Sequence, residues 1–531
     1  MYKNIFLETA KNGSLTCKYN INGKWKYLYS TYFPEKIKEK ISVSGNTACI
    51  VQLGLGLGYE LEYLKKNTNK PIYVIEADLQ FYELLKSNSD LLNNVKVLGK
   101  DNYKEIPYEF SEIQVFENTN LIQCDIPFYT EVLKFLKSER NYKEIVGIFP
   151  HDTIAADCKV AFEQIGFKTS ILAWANESTI LNEIIKAKPD YLFSINFSPT
   201  VAKLSNSLGI PYISWTVDTP AYTLYEKENL NYKYSYMFVY DKKVMSELRE
   251  RGLKNIHYMP VAANVDRLGG INSREEGNLK YVSEVSFLGG SCIQNEYMTY
   301  FKDRLTPSHI NHIEEMIQLQ SQTSEYILKE MVTDNLVDEI ENITSLTIDR
   351  QKHELLPKSE KFAFLLGRYH SYKERKLMMQ ELAKEFDLSI YGDEGWITKT
   401  EAKLEKCYKG YAEHFNEMPK VFMNSIVNVN ITRSFVETGL PMRVFDVLGC
   451  KGFLATNHKL DIDRLFSDGH DLVKYRDLQD LKELIRYYLN HEEDRNRIRT
   501  QGFETIRKYH TYEIRIKNIM NIVNQLQKRE G

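Results

Sequence analysis

The run from Asn428 to Thr456 admits few folds, because it sets a short strand, a glycine-proline turn, an amphipathic helix and a second strand end to end. Asn428-Val-Asn-Ile-Thr432 reads as a strand and Gly439-Leu-Pro441 as a turn. Arg443 to Cys450 carries Val444, Val447 and Leu448 at helical spacing, Gly452 stops the helix, and Phe453-Leu-Ala-Thr456 is the next strand. A loop that enters a helix at the carboxyl end of a parallel strand offers free N–H groups and the positive end of the helix dipole to an anion. Arg443, one turn in, adds a bidentate guanidinium. Asp446, about one turn further on the same face, is a carboxylate able to accept both hydroxyls of a ribose. The same residues also read as an ordinary amphipathic helix with a solvated Arg and Asp, and this window alone does not separate the two.

The remaining length divides into α/β regions. In the first, a Lys- and Tyr-rich lead-in reaches the apolar strand Ala48 to Leu53, followed by Gly54-Leu-Gly56-Leu-Gly58 and a helix. A second strand, Pro71 to Glu76, ends in an acid 18 residues after Gly58, which is a Rossmann-type βαβ with its glycine turn and acidic partner. Glu76 is placed to meet ribose hydroxyls, and Gly54, Gly56 and Gly58 admit a close ligand approach.

The second region opens with Val146-Gly-Ile-Phe-Pro-His151-Asp152, a strand delivering a His-Asp pair into a loop, then a helix from Ala155, Gly166 as its stop, and a strand at Phe167 to Leu172. Pro189 to Asn196, Gly209 to Trp215 and Tyr236 to Asp241 read as three more core strands. Ile213-Ser-Trp-Thr-Val-Asp218-Thr-Pro220 leaves Asp218 at a strand's carboxyl end, where open α/β sheets bind ligands. His151 and Asp218 are the candidate catalytic bases, although His151 could equally cap a helix and Asp218 organise a turn.

In the third region Val285-Ser-Phe-Leu-Gly289-Gly290-Ser291 is a strand whose turn leaves backbone N–H groups and a hydroxyl free for a phosphate. Residues 296–386 are rich in Glu, Lys, Leu, Ile and Met at helical periodicity, and read as an insertion that leans over a cleft or mediates self-association. Leu388-Ser-Ile-Tyr391-Gly-Asp393 resumes the sheet. Asp461-Ile-Asp463 precedes a helix and reads as capping, with no metal assigned.

Composition excludes several function classes. Hydrophobic content of 43% and charged content of 27% are those of a globular chain, and 531 residues allow two to four domains. A formal net charge of -3 gives no general basic surface, so no nucleic-acid partner is expected. Seven scattered cysteines without a CxxC pair point away from zinc and disulfides and toward the cytoplasm. No apolar run is long enough for a membrane span, and the amino terminus lacks a signal-peptide core.

From Glu417 to Ile519 the motifs resemble the carboxyl-terminal domain of GT-B glycosyltransferases of the spore-maturation CgeB/YkvP-like family. The carriers are Arg443-Val-Phe-Asp446, Gly452-Phe-Leu454 and His510-Thr-Tyr512, in that order. Upstream, Trp215-Thr-Val-Asp218-Thr-Pro220, the linker-like Gly252 to Asn264 and Tyr391-Gly-Asp393 fit the same family. The first region resembles both S-adenosylmethionine methyltransferases and the amino-terminal part of Maf-type flagellin glycosyltransferases. Gln52 departs from the acid often found in methyltransferases, so a scaffold or acceptor-docking role is expected there.

The resemblance implies an α/β GT-B fold, two Rossmann-like domains facing across a cleft, plus an amino-terminal Rossmann-like domain and a helical insertion. The implied domains are 1–140, 141–275 (acceptor side), 276–510 (donor side, with insertion 296–386) and a terminal helix at 511–531. It implies a UDP-sugar donor, UDP-N-acetylglucosamine first, with no bound cofactor. Gly289, Gly290, Ser291, Tyr391, Asp393, Tyr411, Arg433, Gly439, Arg443 and Asp446 would contact that donor. The implied acceptor is a Ser or Thr of a surface protein such as flagellin. A small glycan or glycolipid acceptor, a sugar-nucleotide-binding protein without turnover, and a methyltransferase remain open.

Overall fold

The computed structural model describes residues 3–21, 23–43, 47–86, 89–107, 113–136, 144–269, 280–348, 353–397 and 402–530. The expected boundaries at 140/141 and 275/276 lie outside the described residues. By compactness the chain divides into two units: residues 1–144 with 181–189 and 207–210, and the remainder.

The first unit opens with an antiparallel sheet of β1 (Ile5–Thr9), β2 (Leu15–Ile21) and β3 (Lys24–Tyr27), which the Lys- and Tyr-rich composition concealed. A parallel sheet follows, built from β4 (Cys49–Leu53), β5 (Ile72–Ile75), β6 (Val95–Leu98) and β7 (Ile113–Glu117) in the order β6-β5-β4-β7. Central β4 is buried along its whole length, as a strand covered on both faces must be. Ile50, Leu61, Val74 and Phe81 form its core together with Cys17 of β2 and Leu28 just past β3.

The second unit holds two parallel sheets. One orders β8 (Ile145–Ile148), β9 (Lys168–Ile171), β10 (Tyr191–Ile195), β11 (Tyr212–Thr216), β12 (Ser235–Val239) and β13 (Ile256–Tyr258) as β13-β12-β11-β10-β8-β9. β10, β11 and β12 are continuous buried runs, with Phe193, Tyr212, Trp215 and Phe238 inaccessible. The other orders β14 (Ser283–Leu288), β15 (Leu388–Tyr391), β16 (Ser425–Asn430), β17 (Leu454–Asn457) and β18 (Val473–Tyr475) as β15-β14-β16-β17-β18.

Between β14 and β15 the described residues form helices, ending in the 28-residue helix Lys358–Glu385. Arg251, just past the helix Lys242–Glu250 that follows β12, donates from Nη2 to both carboxylate oxygens of Glu360 and ties the two helices together.

The two sheets of this unit meet at their carboxyl ends. Asp241, just past β12, caps the helix Lys242–Glu250 and also accepts from the Thr438 hydroxyl at 2.7 Å and the Thr438 and Gly439 amides at 3.1 Å. The Tyr258 hydroxyl at the end of β13 donates to Asp461 past β17 at 2.8 Å. The terminal helix Tyr512–Glu530 packs back on the first sheet, its Arg515 donating to the carbonyls of Pro260 and Val261. Two parallel α/β sheets opposed at their carboxyl ends, with the last helix returning to the first, are the GT-B architecture.

Candidate active site

The turn after β14 is built more tightly than the sequence suggested. Gly392 lets the next strand's end approach so closely that a Cβ there would lie 2.3 Å from the Gly289 carbonyl oxygen. Trp396 Nε1 donates to that oxygen at 2.9 Å. The Ser291 hydroxyl and amide both donate to Asp393, at 2.6 and 2.8 Å. The hydroxyl expected to be free for phosphate is therefore spent holding the turn, and Asp393 is spent with it.

Gly439 departs from expectation in the same way, since its N–H is taken by Asp241. A Cβ at Gly439 would also lie 2.9 Å from the Tyr240 ring, so glycine is needed there for close packing. Asp461 does not cap its helix; it is the buried second residue, accepting from Tyr258 and pairing with Arg464.

What stands around this turn is positive charge. Arg443, on the helix Met442–Gly449, donates through Nη1 to Asn430 Oδ1 at 3.0 Å, while its Nε is buried without a partner. Its other Nη lies 2.9 Å from where a Gly289 side chain would begin. Burial, with Arg375 and Arg433 nearby, pushes the Arg443 guanidinium down to about 9.

Arg375, the eighteenth residue of the 28-residue helix Lys358–Glu385, reaches the Gly290 carbonyl at 2.7 Å and the Ile431 carbonyl at 3.1 Å, leaving its buried Nε unpartnered. Arg433 leans on the Phe435 ring. Among the described residues none of the three forms an ion pair with a carboxylate. Like charges gathered at reduced dielectric, with Glu374 and Asp446 near but not in ion-pair contact, raise the energy of the empty site, and a bound polyanion relieves it.

The candidate bases fall in two places. Asp218 is exposed past β11, and Asn196 Nδ2 donates to it at 2.7 Å. Asn196 holds a left-handed backbone (φ 60°), and its Oδ1 accepts from the Val217 amide at 3.1 Å. That double hold aims the Asp218 carboxylate. Asp241, Asp218 and Arg433 all act electrostatically on the Tyr240 phenol, so the acid and the cation both stand near that ring.

His151 instead faces Thr153, with Nδ1 3.2 Å from its hydroxyl. Its charged neighbours are His414 and, around it, the Arg267–Asp157 ion pair at 3.0 Å. Asp446 lies on this side too, 4% exposed, its carboxyl pushed up to about 7 by burial against the pull of Arg267.

Tyr391 is buried beside Tyr281, and Tyr411 is 74% exposed, so neither joins the arginine cluster. Arg375 escaped the sequence reading because it sits in a stretch whose periodicity announces only helix. A buried-arginine signal was present in its apolar flanks, Phe362 to Leu366 and Met378-Met379.

In the first unit the glycine turn after β4 is occupied by the chain itself. The Tyr29 hydroxyl accepts from the Leu57 amide at 3.2 Å and donates to Glu60 at 3.1 Å. A Cβ on Gly56 would lie 2.0 Å from that oxygen, and Leu121 crowds Gly54 and Gly56 alike. A Cβ on Gly58 would meet Leu91 and Leu85. Glu76 accepts from the Leu55 and Asp78 amides at 2.5 and 2.9 Å and is 2% exposed. The crevice expected to admit a ribose is filled by Tyr29 and Leu121, and its acid is consumed by its own loop.

Among the described residues no helix is long and apolar enough to cross a membrane, and no three His, Cys, Asp or Glu side chains gather as metal ligands.

Residues 373–521 match the family model described as glycosyl transferase-like. No curated protein matches the chain at a significant level. Solved structures similar to it include HepE of Anabaena in complex with UDP-glucose, at 7% identity over 72% of this chain and 100% of that one, with a TM-score of 0.42. Sucrose-phosphate synthase of Thermosynechococcus elongatus is similar at 9% identity over 73% and 100%, with a TM-score of 0.41. A glycosyltransferase of Rickettsia africae is similar at 10% identity over 91% and 99%, with a TM-score of 0.34. Residues 373–521 are thus a glycosyl transferase-like domain, set in two opposed parallel sheets of the GT-B class.

Proposed function

We propose that the second unit transfers a sugar from a UDP-sugar to an acceptor hydroxyl, with the donor diphosphate held by Arg375, Arg433 and Arg443. The observation that carries this reading is the convergence of the Arg375 and Arg443 guanidiniums on the glycine turn after β14, with Arg433 near both and no ion pair to any of the three among the described residues. A diphosphate is the ligand whose charge and bidentate oxygens match them.

In the transfer the acceptor oxygen bonds to the anomeric carbon as the bond to the diphosphate breaks. The arginines stabilise the charge that gathers on the leaving group, the largest electrostatic term in such chemistry. Asp218, aimed by Asn196, takes the acceptor proton, and His151 is the second candidate for that role. Asp446 is kept as the ribose carboxylate, and Gly289, Gly290 and Gly439 as the turns that let backbone approach the donor. Tyr411 is kept as a face for the base.

Uracil in the donor agrees with HepE, whose structure holds UDP-glucose. N-acetylglucosamine as the sugar, a Ser or Thr of a protein such as flagellin as acceptor, membership of the CgeB/YkvP-like group and a Maf-like first domain all rest on the resemblance of motifs. So do the four domains placed at 1–140, 141–275, 276–510 and 511–531. A cytoplasmic site of action agrees with seven free cysteines. Self-association through residues 296–386 belongs to the same reading and is checked by the mass in solution. The filled glycine crevice weighs against the methyltransferase alternative.

Thermal melting with a panel of nucleotide sugars tests the donor: UDP and its sugars should raise Tm, and S-adenosylmethionine should not. Asp218→Asn should lower donor consumption about 100-fold. Wild-type rates in both Asp218→Asn and His151→Ala would remove these residues from the chemistry.

A further inference from the structure

Behind the three arginines lies a second set of buried polar groups that the diphosphate does not account for. Glu374, adjacent to Arg375 on the helix Lys358–Glu385, has Oε2 buried with no partner. Its charged neighbours are Arg375 and Lys459. Lys459 follows β17 and is 3% exposed; its Nζ, with three donors, makes one hydrogen bond, to the Ser434 carbonyl at 3.2 Å.

The ends of three strands are tied together beside this pair. Arg443 binds Asn430 at the end of β16, the Tyr475 hydroxyl of β18 donates to the Asn430 carbonyl at 2.8 Å, and Asn457 at the end of β17 clasps Thr432. Tyr475 also feels both Glu374 and Arg375. Lys459, two residues past β17, and Glu374, next to Arg375 on its helix, stand near these strand ends. Buried donors and acceptors left unmatched cost about 1–3 kcal/mol each, so several together mark a place shaped for a polar ligand.

We infer that Glu374 and Lys459 are the sugar-recognising pair of the donor site, Glu374 accepting from hydroxyls of the transferred hexose and Lys459 donating to one of its oxygens. This rests on the donor reading above and goes past it, because it assigns the part of the ligand that distinguishes a UDP-sugar from UDP. A carboxylate acceptor beside an ammonium donor suits vicinal hydroxyls, which offer both roles on neighbouring carbons. The ligand class is therefore a neutral hexose carrying free adjacent hydroxyls. A uronic acid would bring its carboxylate against Glu374.

Isothermal titration of the full chain with UDP, UDP-glucose, UDP-N-acetylglucosamine and UDP-glucuronic acid reads the inference directly. Glu374→Gln should leave the Kd for UDP within about twofold while raising the ratio of the UDP-glucose Kd to the UDP Kd by about tenfold. Lys459→Met should shift the ratio in the same sense. Retained UDP binding in each variant shows that the site is folded. An unchanged ratio in both variants, or UDP and UDP-glucose weakening in parallel, overturns the inference and leaves the diphosphate site standing. Wild-type protein that binds no uridine nucleotide removes the donor reading and this inference with it.

Discussion

Gly54-Leu-Gly56 after β4 and Gly289-Gly290 after β14 are the same device in backbone terms: a buried parallel strand, then glycines that let something approach its carboxyl end. What approaches differs. In the first unit it is Tyr29 and Leu121, and the Leu55 and Leu57 amides and Glu76 find their partners within the chain. In the second it is Arg443, arriving with a buried Nε unsatisfied and two more guanidiniums beside it. Glycine spacing therefore reports a backbone path, whereas unspent charge reports a ligand.

The comparison breaks most visibly at Arg443. Arg443→Ala should reduce kcat/KM for donor consumption about 1000-fold, roughly 4 kcal/mol of lost charge stabilisation, and weaken UDP binding. It should leave Tm unchanged or raised, because an unpaired buried cation has been removed. A large drop in Tm with near-normal turnover would mean that the cluster is structural and that the two turns are alike after all.

Gly56→Ala is the counterpart in the first unit. The new methyl would lie 2.0 Å from the buried Tyr29 hydroxyl, on a backbone with φ 54°. A destabilisation of about 4 kcal/mol is expected, read by denaturant unfolding, with donor affinity intact in the molecules that remain folded. Ligand-dependent recovery of that loss by S-adenosylmethionine would show that the turn holds a nucleoside.

The two turns were equally legible in the sequence, and their contents were not. Strand-glycine-helix order is local, and β4, β5, β14 and the helix Met442–Gly449 stand where periodicity and turn residues put them. The partners that decide each turn come from far along the chain: Tyr29 to Leu57, Asp393 to Ser291 across 102 residues, Asp241 to Gly439 across 198. No local pattern specifies such pairs.

The strands β1 to β3 had a local signal that composition outweighed. Asn12-Gly13 and Asn22-Gly23 are hairpin dipeptides, and Gly13 and Gly23 take φ values of 85° and 83°. Reading them would have predicted the sheet that carries the chain on to Tyr29. Arg375 had only the weaker signal of its apolar flanks, since one of two arginines on a long charged helix is told from the other mainly by where the helix lands.

A third, smaller effect separates an acid consumed by its own loop from one awaiting a ligand. Burial pushes the Glu76 carboxyl up to about 7 from 4.5, even though the backbone amides of Asp78, Leu55 and Gly56 favour its ionised form. The folded chain keeps a proton there that the unfolded chain releases. Stability from this group is complete below pH 4.5, falls as pH rises toward 7, and is flat above, by about 3 kcal/mol in all. Glu76→Gln should remove that part of the slope when unfolding is followed from pH 4.5 to 8, and UDP should not restore it. A slope that UDP alters would instead trace it to Glu374 or Asp446, which burial also pushes up to about 7.

The smallest effect is the most discriminating for the second turn. Ser291→Ala deletes a hydroxyl that donates to Asp393 at 2.6 Å, while the amide bond to the same carboxylate remains. If the hydroxyl only holds the turn, thermal unfolding should register about 1 kcal/mol of lost stability and the Kd for UDP should move less than twofold. If it reaches phosphate once a donor is bound, the order reverses: affinity falls with little change in Tm. The Asp393→Asn variant separates the cases further. An amide still caps the Gly395 N–H, now bonded at 2.9 Å, but its weaker acceptor loosens Ser291. A turn held by the protein alone should then lose stability in proportion, whether or not UDP is present.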